Sequence, residues 1–178
     1  MQTQLKKAWF MLLETRLRNI IHPVWRARLL AWCGATVGKN VRIYEVQLFN
    51  LEMGFKNLKI ADDVHIGHGC RLDLQGEIHL EQGVTLSAGV TILTHSDPGS
   101  AHHSPLCEIY QPIIATVYIE AYCWIGCNTT ILAGSRIQEQ TVVGACSLVS
   151  GKLQSRHLYA EIPAKLIKRL EISSRDML

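Results

Sequence analysis

A polar segment with three histidines and two acidic residues lies in the middle of this 178-residue chain. It reads THSDPGSAHHSPLCEIYQP, residues 94–112, and contains His95, Asp97, His102, His103 and Glu108. A neutral imidazole titrates near about pH 6.5, so a histidine here could accept a proton at neutral pH. The segment interrupts an otherwise regular pattern, and a long polar insert of this kind is usually functional.

The regular pattern is an aliphatic residue at every sixth position. After the insert its seven positions are Ile113, Ile119, Ile125, Ile131, Ile137, Val143 and Val149. Before the insert the same step appears at Ile43, Ile60, Ile66, Leu72, Leu80, Leu86 and Ile92, with a loss of register over 46–59 and a slip of two residues between Leu72 and Leu80. A period of six differs from the helical period of about 3.6 and from simple strand alternation.

This period predicts an all-β fold, a left-handed parallel β-helix built from hexapeptide repeats. Three flat segments form one coil of about 18 residues, which places Ile125 under Val143 and Ile113 under Ile131. Coils stack at about 4.8 Å, the ordinary spacing between strands. We expect about five coils over residues 35–160, with the insert 94–112 projecting from them. An ordinary sandwich would show more variable strand spacing.

Bulk composition excludes several classes of protein. The chain is 48% hydrophobic and 19% charged, which predicts one folded domain rather than a disordered chain. Its net charge of +3 is too weak to indicate nucleic-acid binding. No apolar run approaches the roughly 18 to 20 residues of a membrane span, and the N-terminus does not resemble a signal peptide. We therefore expect a cytoplasmic protein.

The six cysteines include no C-x-x-C pair. We expect reduced thiols, and Cys123 falls on an inward position of the repeat. A metal site formed by Cys123 and Cys127 is an alternative, but no second pair supports it, and we predict no metal.

Residues 1–34 form a predicted helical segment. An apolar face over residues 4–21 indicates an amphipathic helix. Its members are Leu5, Ala8, Trp9, Leu12, Leu13, Leu17, Ile20 and Ile21. Pro23 interrupts it, and a second helix over 24–33 should end at Gly34. Six basic residues and one acidic residue give this segment an excess of five positive charges. It could pack across the end of the solenoid, attach peripherally to an anionic membrane surface, or do both.

Residues 161–178 form a predicted C-terminal helix. Ile162-Pro163-Ala164 places a proline near its first position, and residues 165–170 continue it. Such a helix would cap the last coil, whose open end exposes backbone groups and core.

Several motifs in fixed order resemble the hexapeptide-repeat acyltransferases, in particular the maltose, galactoside, nodulation-sugar and colanic-acid acetyltransferases. They are RLDLQGEIHLEQGVTLSAGVTILTHSDP, QPI, YCWIG, ILAGSRI, VVGACSLV and IPAKLIKRL, which lie within residues 71–170. The resemblance as a whole covers roughly residues 37–170. The resemblance implies an acetyl-CoA-dependent O-acetyltransferase that acts on a small-molecule or glycan hydroxyl. It also implies a homotrimer with its site between subunits.

The resemblance implies roles for three catalytic residues. His95 matches the general base that deprotonates the acceptor hydroxyl. Glu108 matches a carboxylate that orients this histidine, and Asp97 is a competing choice that looks like part of a turn. His102 and His103 are weaker candidates. Cys127 matches a position whose backbone N–H stabilises the oxyanion.

The same resemblance implies the binding residues. Asp73, His65 and Trp124 match acceptor-binding positions, although many relatives have Asn where this chain has His65. Ala145 matches a backbone contact to the pantetheine arm of CoA. Lys165 and Lys168 match basic positions near the CoA phosphates.

Other positions depart from the family pattern. Glycines of the relatives are replaced by Glu120, Gln138, Cys146 and Glu161. Because glycine at a corner often serves a positive φ, we expect these changes to cost stability or reshape the CoA exit.

Two alternatives remain open at this stage. A γ-type carbonic anhydrase uses the same solenoid but needs three zinc-binding histidines at a spacing that this chain lacks. A non-catalytic scaffold or assembly protein is the second alternative, and the substituted glycines favour it slightly.

Overall fold

The computed structural model describes residues 2–171, with side chains from residue 5 onward. Two helices open the chain, α1 (Gln2–Arg18) and α2 (Pro23–Trp32). Proline begins α2, where its missing N–H costs no intrahelical hydrogen bond. The second helix ends before Gly34, whose φ of 109° suits glycine best. No helix in the described range is both long and apolar enough to cross a membrane.

Twenty short strands follow. They are β1 (Thr36–Val37), β2 (Arg42–Ile43), β3 (Val46–Phe49), β4 (Leu58–Ile60), β5 (His65–Ile66), β6 (Cys70–Asp73), β7 (Ile78–Leu80), β8 (Thr85–Leu86), β9 (Thr91–Ile92), β10 (His95–Ser96), β11 (Ile113–Ile114), β12 (Val117–Ile119), β13 (Trp124–Ile125), β14 (Thr130–Ile131), β15 (Arg136–Ile137), β16 (Val142–Val143), β17 (Leu148–Val149), β18 (Lys152–Leu153), β19 (His157–Ala160) and β20 (Lys165–Arg169).

Three parallel sheets form the sides of a solenoid. The first sheet runs β1-β4-β7-β12-β15-β18, the second runs β2-β5-β8-β13-β16-β19-β20, and the third runs β17-β14-β9-β6-β3. Successive coils therefore stack strand on strand, which confirms the predicted left-handed parallel β-helix. The solenoid has about six coils rather than five, because β3 pairs with β6 inside the stretch where the sequence period is lost.

Side chains at the repeat positions form the hydrophobic core. Ile125 lies between Leu86 and Val143 in the second sheet, as the spacing predicts. Ile119, Ile131 and Ile137 are fully buried. The polar Thr129, Ser135 and Thr141 are also buried beside them and use their hydroxyls to bond backbone carbonyls. Such bonds meet the requirement that buried polar groups be paired.

Ile113 is the exception among the seven anchors, and the prediction that it lies under Ile131 is wrong. The residue under Ile131 is Ile92, on the far side of the insert. Ile113 belongs to β11, which pairs antiparallel with β10 at the base of the insert, and its side chain is exposed. The chain returns to the solenoid only at Val117, so the step of six from Ile113 to Ile119 does not reflect a shared coil position.

The predicted C-terminal helix is also wrong where the structure describes it. Residues 165–169 form β20, an antiparallel strand beside β19, and residues 172–178 of the prediction lie outside the described range. The physical reason is that the last coil ends in an open strand edge. A strand satisfies the N–H and C=O groups of that edge directly, whereas a helix would only cover them.

Some corner glycines, such as Gly83 and Gly89, have the expected positive φ, but Gly126 has a different function. Gly126 does not have a positive φ; a Cβ built there would lie 2.5 Å from the backbone N of Ala145 on the next coil. Glycine is needed because the coils approach closely. Glu120 and Gln138 do not have a positive φ either. Of the four residues that replace glycine, only Cys146 and Glu161 have the predicted backbone strain, with φ values of 58° and 87°.

Only part of the predicted apolar face of α1 is packed. Leu13, Leu17 and Ile20 contact the core of the solenoid. Leu5, Trp9 and Leu12 are 65%, 57% and 51% exposed. Helix α1 therefore has two apolar sides, one against the solenoid and one open.

Candidate active site

Thr94 fixes the point where the chain leaves the solenoid. Its fully buried hydroxyl donates to the backbone O of Asp73 at 2.9 Å and accepts from the N–H of Gly76 at 2.8 Å. Its carbonyl accepts from the N–H of Ala115, where the chain returns. The base of the insert is therefore bonded to two neighbouring segments, and the next residue, His95, has a fixed backbone.

His95 and Asp73 form the central contact of the site. Nδ1 of His95 lies 2.5 Å from Oδ2 of Asp73, and the His95 side chain remains 32% exposed while that of Asp73 is fully buried. Within residues 2–171 no other side chain hydrogen-bonds the His95 ring. The ring is held at Nδ1, so Nε2 is the nitrogen left for a substrate.

Asp73 is surrounded by hydrogen-bond donors. Oδ2 also accepts from the N–H groups of Thr94 and His95, at 2.9 and 3.1 Å. Oδ1 accepts from the amide of Asn50 at 2.8 Å and the N–H of Gln75 at 3.1 Å. Burial alone would raise the pKa of Asp73, but the hydrogen bonds from His95, Asn50, Thr94 and Gln75 outweigh it and hold the pKa below its usual value. Asp73 is therefore an anion that faces His95.

This geometry corrects two predictions at once. Asp73 was expected to bind the acceptor, but it is buried and both of its oxygens are occupied. Glu108 was expected to orient His95, but it ends a short 3₁₀ helix, is exposed, and makes no hydrogen bond to His95 in the described structure. The family resemblance implied Glu108 as the orienting acid, whereas stacking of coils brings Asp73, from the preceding coil, beside the histidine.

The other polar residues of the insert have local roles. Asp97 accepts hydrogen bonds from Gly99 and Ser100, which confirms its interpretation as a turn residue. His102 and His103 are exposed. Leu106, Ile109 and Tyr110 are more than half exposed, so the insert presents an apolar surface to solvent.

A second group of predicted residues lies on the outer face of the second sheet. His65, Thr85 and Trp124 occupy equivalent positions on three successive coils. Trp124 is 55% exposed, and its indole N–H donates to Oγ of Ser87 at 3.0 Å. The rings of His65 and Tyr44 lie 5.2 Å apart. Burial, Arg42 and His68 lower the pKa of His65, so its neutral form, which packs against Tyr44, is favoured.

The corner after Trp124 offers two free backbone donors. Gly126 lies directly beneath Ala145. Within the described range the N–H groups of Cys127 and Ala145 donate no backbone hydrogen bond. Two unengaged N–H groups on adjacent coils can bind oxygen atoms of a ligand.

Basic residues gather at the C-terminal end of the solenoid. Lys165 and Lys168 are exposed on β20. A surface cavity nearby is lined by Lys152, Arg156 and Arg169, among others. Sequence reasoning missed these three residues, because they come from different segments that only coil stacking brings together. Asn50, which holds Asp73, was missed for the same reason.

The structure does not join these groups within one chain. His95 follows the third sheet, whereas Trp124, Cys127 and Ala145 lie on or beside the second sheet. No hydrogen bond in the described residues links His95 to any of the three. A reaction that uses His95 together with these three residues therefore requires contacts beyond those within one chain.

No metal centre is supported. Among the described residues no group of three or more His, Cys, Asp or Glu side chains could hold a metal ion. All six cysteines are free thiols, with Cys123 buried and Cys127 exposed. Burial raises the pKa of the Cys123 thiol to about 12, so it stays protonated and acts as a small core residue.

No protein-family model matches the chain. A putative lipopolysaccharide biosynthesis O-acetyl transferase of Escherichia coli K12, WbbJ, is 37% identical over 75 residues, which cover 42% of this chain and only 38% of that relative. A putative colanic acid biosynthesis acetyltransferase of the same organism, WcaF, is 28% identical over 144 residues, covering 81% of this chain and 74% of the relative.

The fold has solved counterparts. A hexapeptide-repeat-containing acetyltransferase of Vibrio cholerae O1 biovar eltor, solved in complex with acetyl coenzyme A, superposes with a TM-score of 0.81. The superposition covers 95% of this chain and 89% of that chain, at 18% identity. At this identity the likeness concerns the fold.

Proposed function

We propose that this chain, a homologue of the hexapeptide-repeat acetyltransferases, transfers an acetyl group from acetyl-CoA to a hydroxyl of a sugar or glycan. The observation that carries the proposal is the 2.5 Å contact between His95 and the buried anion Asp73 at the base of the insert. A histidine held in this way has one nitrogen fixed and the other free to accept a proton.

His95 acts as the general base. Its Nε2 takes the proton of the acceptor hydroxyl as the oxygen forms a bond to the acetyl carbonyl carbon. The Nδ1–H of the ring donates to Asp73, whose negative charge stabilises the imidazolium that forms. The carbon–sulfur bond then breaks, and His95 returns the proton to the departing thiolate. Acetyl-CoA supplies the acetyl group as a thioester.

The second sheet supplies the groups that hold the donor. The free N–H of Cys127 stabilises the oxyanion, and that of Ala145 binds a carbonyl of the pantetheine arm. Lys165 and Lys168, which are exposed on β20, provide charge-assisted contacts to the phosphates. CoA carries negatively charged phosphates, which basic side chains can bind, and amide carbonyls, which free backbone N–H groups can bind.

The acceptor is a carbohydrate hydroxyl. Trp124 and His65 present aromatic surface on the outer face of the second sheet, as an apolar sugar face requires. WbbJ and WcaF are named for lipopolysaccharide and colanic acid biosynthesis. The aromatic surface and the names of these two relatives both support a carbohydrate as the class of acceptor.

A homotrimer completes the site. Because His95 and Trp124 lie on different sides of one solenoid, a threefold assembly brings the His95 corner of one subunit against the Trp124 face of the next. The apolar side chains of the insert, including Ile109 and Tyr110, would cover the neighbouring subunit.

The first experiment measures thiol release from acetyl-CoA against a panel of sugar and nucleotide-sugar acceptors. With an accepted sugar, His95→Ala should lower kcat by roughly 10²- to 10⁴-fold, the usual contribution of a general base. Acetyl-CoA affinity should stay near that of the unchanged protein, because the donor contacts lie elsewhere.

His102→Ala is the matched control, since His102 is an exposed histidine of the same insert and should leave kcat unchanged. Near-normal turnover in His95→Ala would show that the mechanism is wrong. Absence of both acetyl-CoA binding and turnover would favour a non-catalytic scaffold.

A further inference from the structure

Both N-terminal helices expose an apolar stripe. On α1 it consists of Leu5, Trp9 and Leu12, which are 65%, 57% and 51% exposed. On α2 it consists of Trp25, Leu29 and Trp32, at 63%, 37% and 85%. Each set follows the spacing i, i+4, i+7, which places its members on one side of a helix.

Ile21 joins the two stripes. It lies in the connection between the helices and is 94% exposed. We call these seven residues the N-terminal apolar face. The two helices contact each other. Exposed apolar residues scattered singly are ordinary, but seven large ones on two neighbouring helices and their connection, three of them tryptophan, indicate a binding surface.

The exposed charged side chains of the two helices are positive. Lys6, Arg16 and Arg28 are exposed beside the stripes. The acidic residue of the segment, Glu14, is buried and accepts from the N–H of Leu48, so it does not face outward. Glu52 is paired with Lys7 at 2.5 Å.

The helices are held firmly on the solenoid. The buried guanidinium of Arg26 on α2 donates to the carbonyls of Leu17, Arg18 and Ile20 at the end of α1, and to that of Ile43 on β2. Because one side chain links both helices to the first coil, the apolar face keeps a fixed orientation.

We propose that the N-terminal apolar face docks on an anionic lipid membrane surface. Tryptophan and leucine enter the boundary between headgroups and acyl chains, while lysine and arginine bind the anionic headgroups. A second copy of the chain fits this face less well, because a symmetric contact would place Arg16 and Arg28 against like charges. The proposal does not depend on the acetyl-transfer reaction.

Docking would place the catalytic pair near the membrane. The turn that carries Asn50 and Glu52 links α1 to the site, since Glu52 pairs with Lys7 and Asn50 donates to Asp73. The surface of the membrane would therefore lie beside the first coil, and the His95 insert leaves the solenoid two coils further on, after β9.

The test is flotation of the full chain with phosphatidylcholine vesicles, with and without phosphatidylglycerol. We expect binding that requires phosphatidylglycerol and weakens with added salt. Arg28→Gln should weaken binding about fivefold, the usual effect of one basic residue near the surface. Trp9→Gln, Trp25→Gln and Trp32→Gln combined should weaken it by at least about tenfold.

Matched controls lie at the other end of the solenoid. Lys152→Gln removes an exposed basic residue and Ile162→Gln an exposed apolar one, and neither should change binding. In Trp124→Phe, every remaining tryptophan lies on the N-terminal apolar face, so its fluorescence should shift to shorter wavelength with anionic vesicles.

Three results would overturn the proposal. They are equal binding to neutral and anionic vesicles, no binding to either, and binding unaffected by the tryptophan substitutions. Light scattering supplies a further check: if the tryptophan variant keeps its circular dichroism and thermal unfolding but loses its assembly, the face is an interface between copies instead.

Discussion

Asp73 is the residue whose surroundings say most about the site. Five groups donate to its carboxylate. Asn50 comes from the preceding coil and the N–H of Gln75 from the same segment, whereas Thr94 and His95 come from the next coil. An arrangement of donors alone favours a charged carboxylate and leaves no position for a donating group. Asp73 therefore both stabilises the base of the insert and provides the charge behind His95.

Asp73→Asn should impair both functions. The amide keeps the shape of the carboxylate but directs an NH₂ group at other donors, and it removes the charge that stabilises the imidazolium. We expect kcat to fall by roughly 10²- to 10⁴-fold and the free energy of unfolding to fall by about 1–3 kcal/mol. Glu108→Gln is the control and should change neither. An equal loss of kcat in Glu108→Gln would return the orienting role to that residue.

The stability difference should depend on pH in a defined direction. The pKa of Asp73 in the folded chain lies below its ordinary value of 3.8, because the hydrogen bonds outweigh the opposing effect of burial. Its contribution is therefore present above about pH 4 and is lost as pH falls through the folded pKa. Urea unfolding of the unchanged chain and Asp73→Asn should differ at neutral pH and converge in acid.

At the scale of elements, one arginine joins the helical segment to the solenoid. Arg26 is 3% exposed and donates only to backbone carbonyls, including those left free at the end of α1. Carbonyls in the last turn of a helix have no partner within the helix, so a side chain from the next helix satisfies them. The contact fixes the angle between α1 and α2.

Arg26→Met keeps the length of the side chain but removes every donor. Because buried carbonyls lose their partners, we expect the free energy of unfolding to fall by about 3 kcal/mol. Thermal and urea unfolding measure it. Arg28→Met, on the exposed side of the same helix, should have nearly the same free energy of unfolding as the unchanged chain. Similar stability for the two variants would mean that the Arg26 contacts contribute little.

The secondary structure of β20 is determined by the strand edge beside it. Residues 165–169 contain no glycine or proline and are compatible with a helix by propensity alone. Their backbone instead completes the edge of β19, with Lys168 opposite Leu158. Hydrogen bonding to an available edge outweighs a weak local preference for helix.

At the scale of the whole molecule, the three-sided solenoid separates His95, the proposed base, from the corner at Cys127 that is proposed to bind the donor. A single chain presents His95 on one side and Trp124 with Cys127 on another. One side of the chain would supply the base and another side the groups that bind the donor and the acceptor. A threefold assembly would therefore form three shared sites.

Mixed assemblies test this arrangement. His95→Ala and Trp124→Ala should each be nearly inactive alone, because each removes one half of every site. After the two variants are unfolded together and refolded, some sites should contain both unchanged halves, and activity should partly return. Light scattering should give three times the 20.0 kDa chain mass. No recovery from confirmed mixed trimers would show that each site lies within one subunit.

The sequence by itself determined the solenoid and the place of the insert. The step of six at positions such as Ile125 and Val143 follows from the geometry of a coil, where a residue out of step would point its side chain away from the core. His95 was identified from its motif, and the structure places it where the chain leaves the third sheet.

Tertiary structure alone decided which groups meet. Asp73 and His95 are 22 residues apart and become neighbours only through coil stacking, whereas the family resemblance implied Glu108 as the orienting acid. The pattern of α1 showed apolar residues but not that Leu13 would pack while Trp9 stays exposed, because both sides of the helix are apolar. A periodic pattern specifies the local conformation of a segment, whereas its partners depend on the surfaces and strand edges that the rest of the chain leaves unsatisfied.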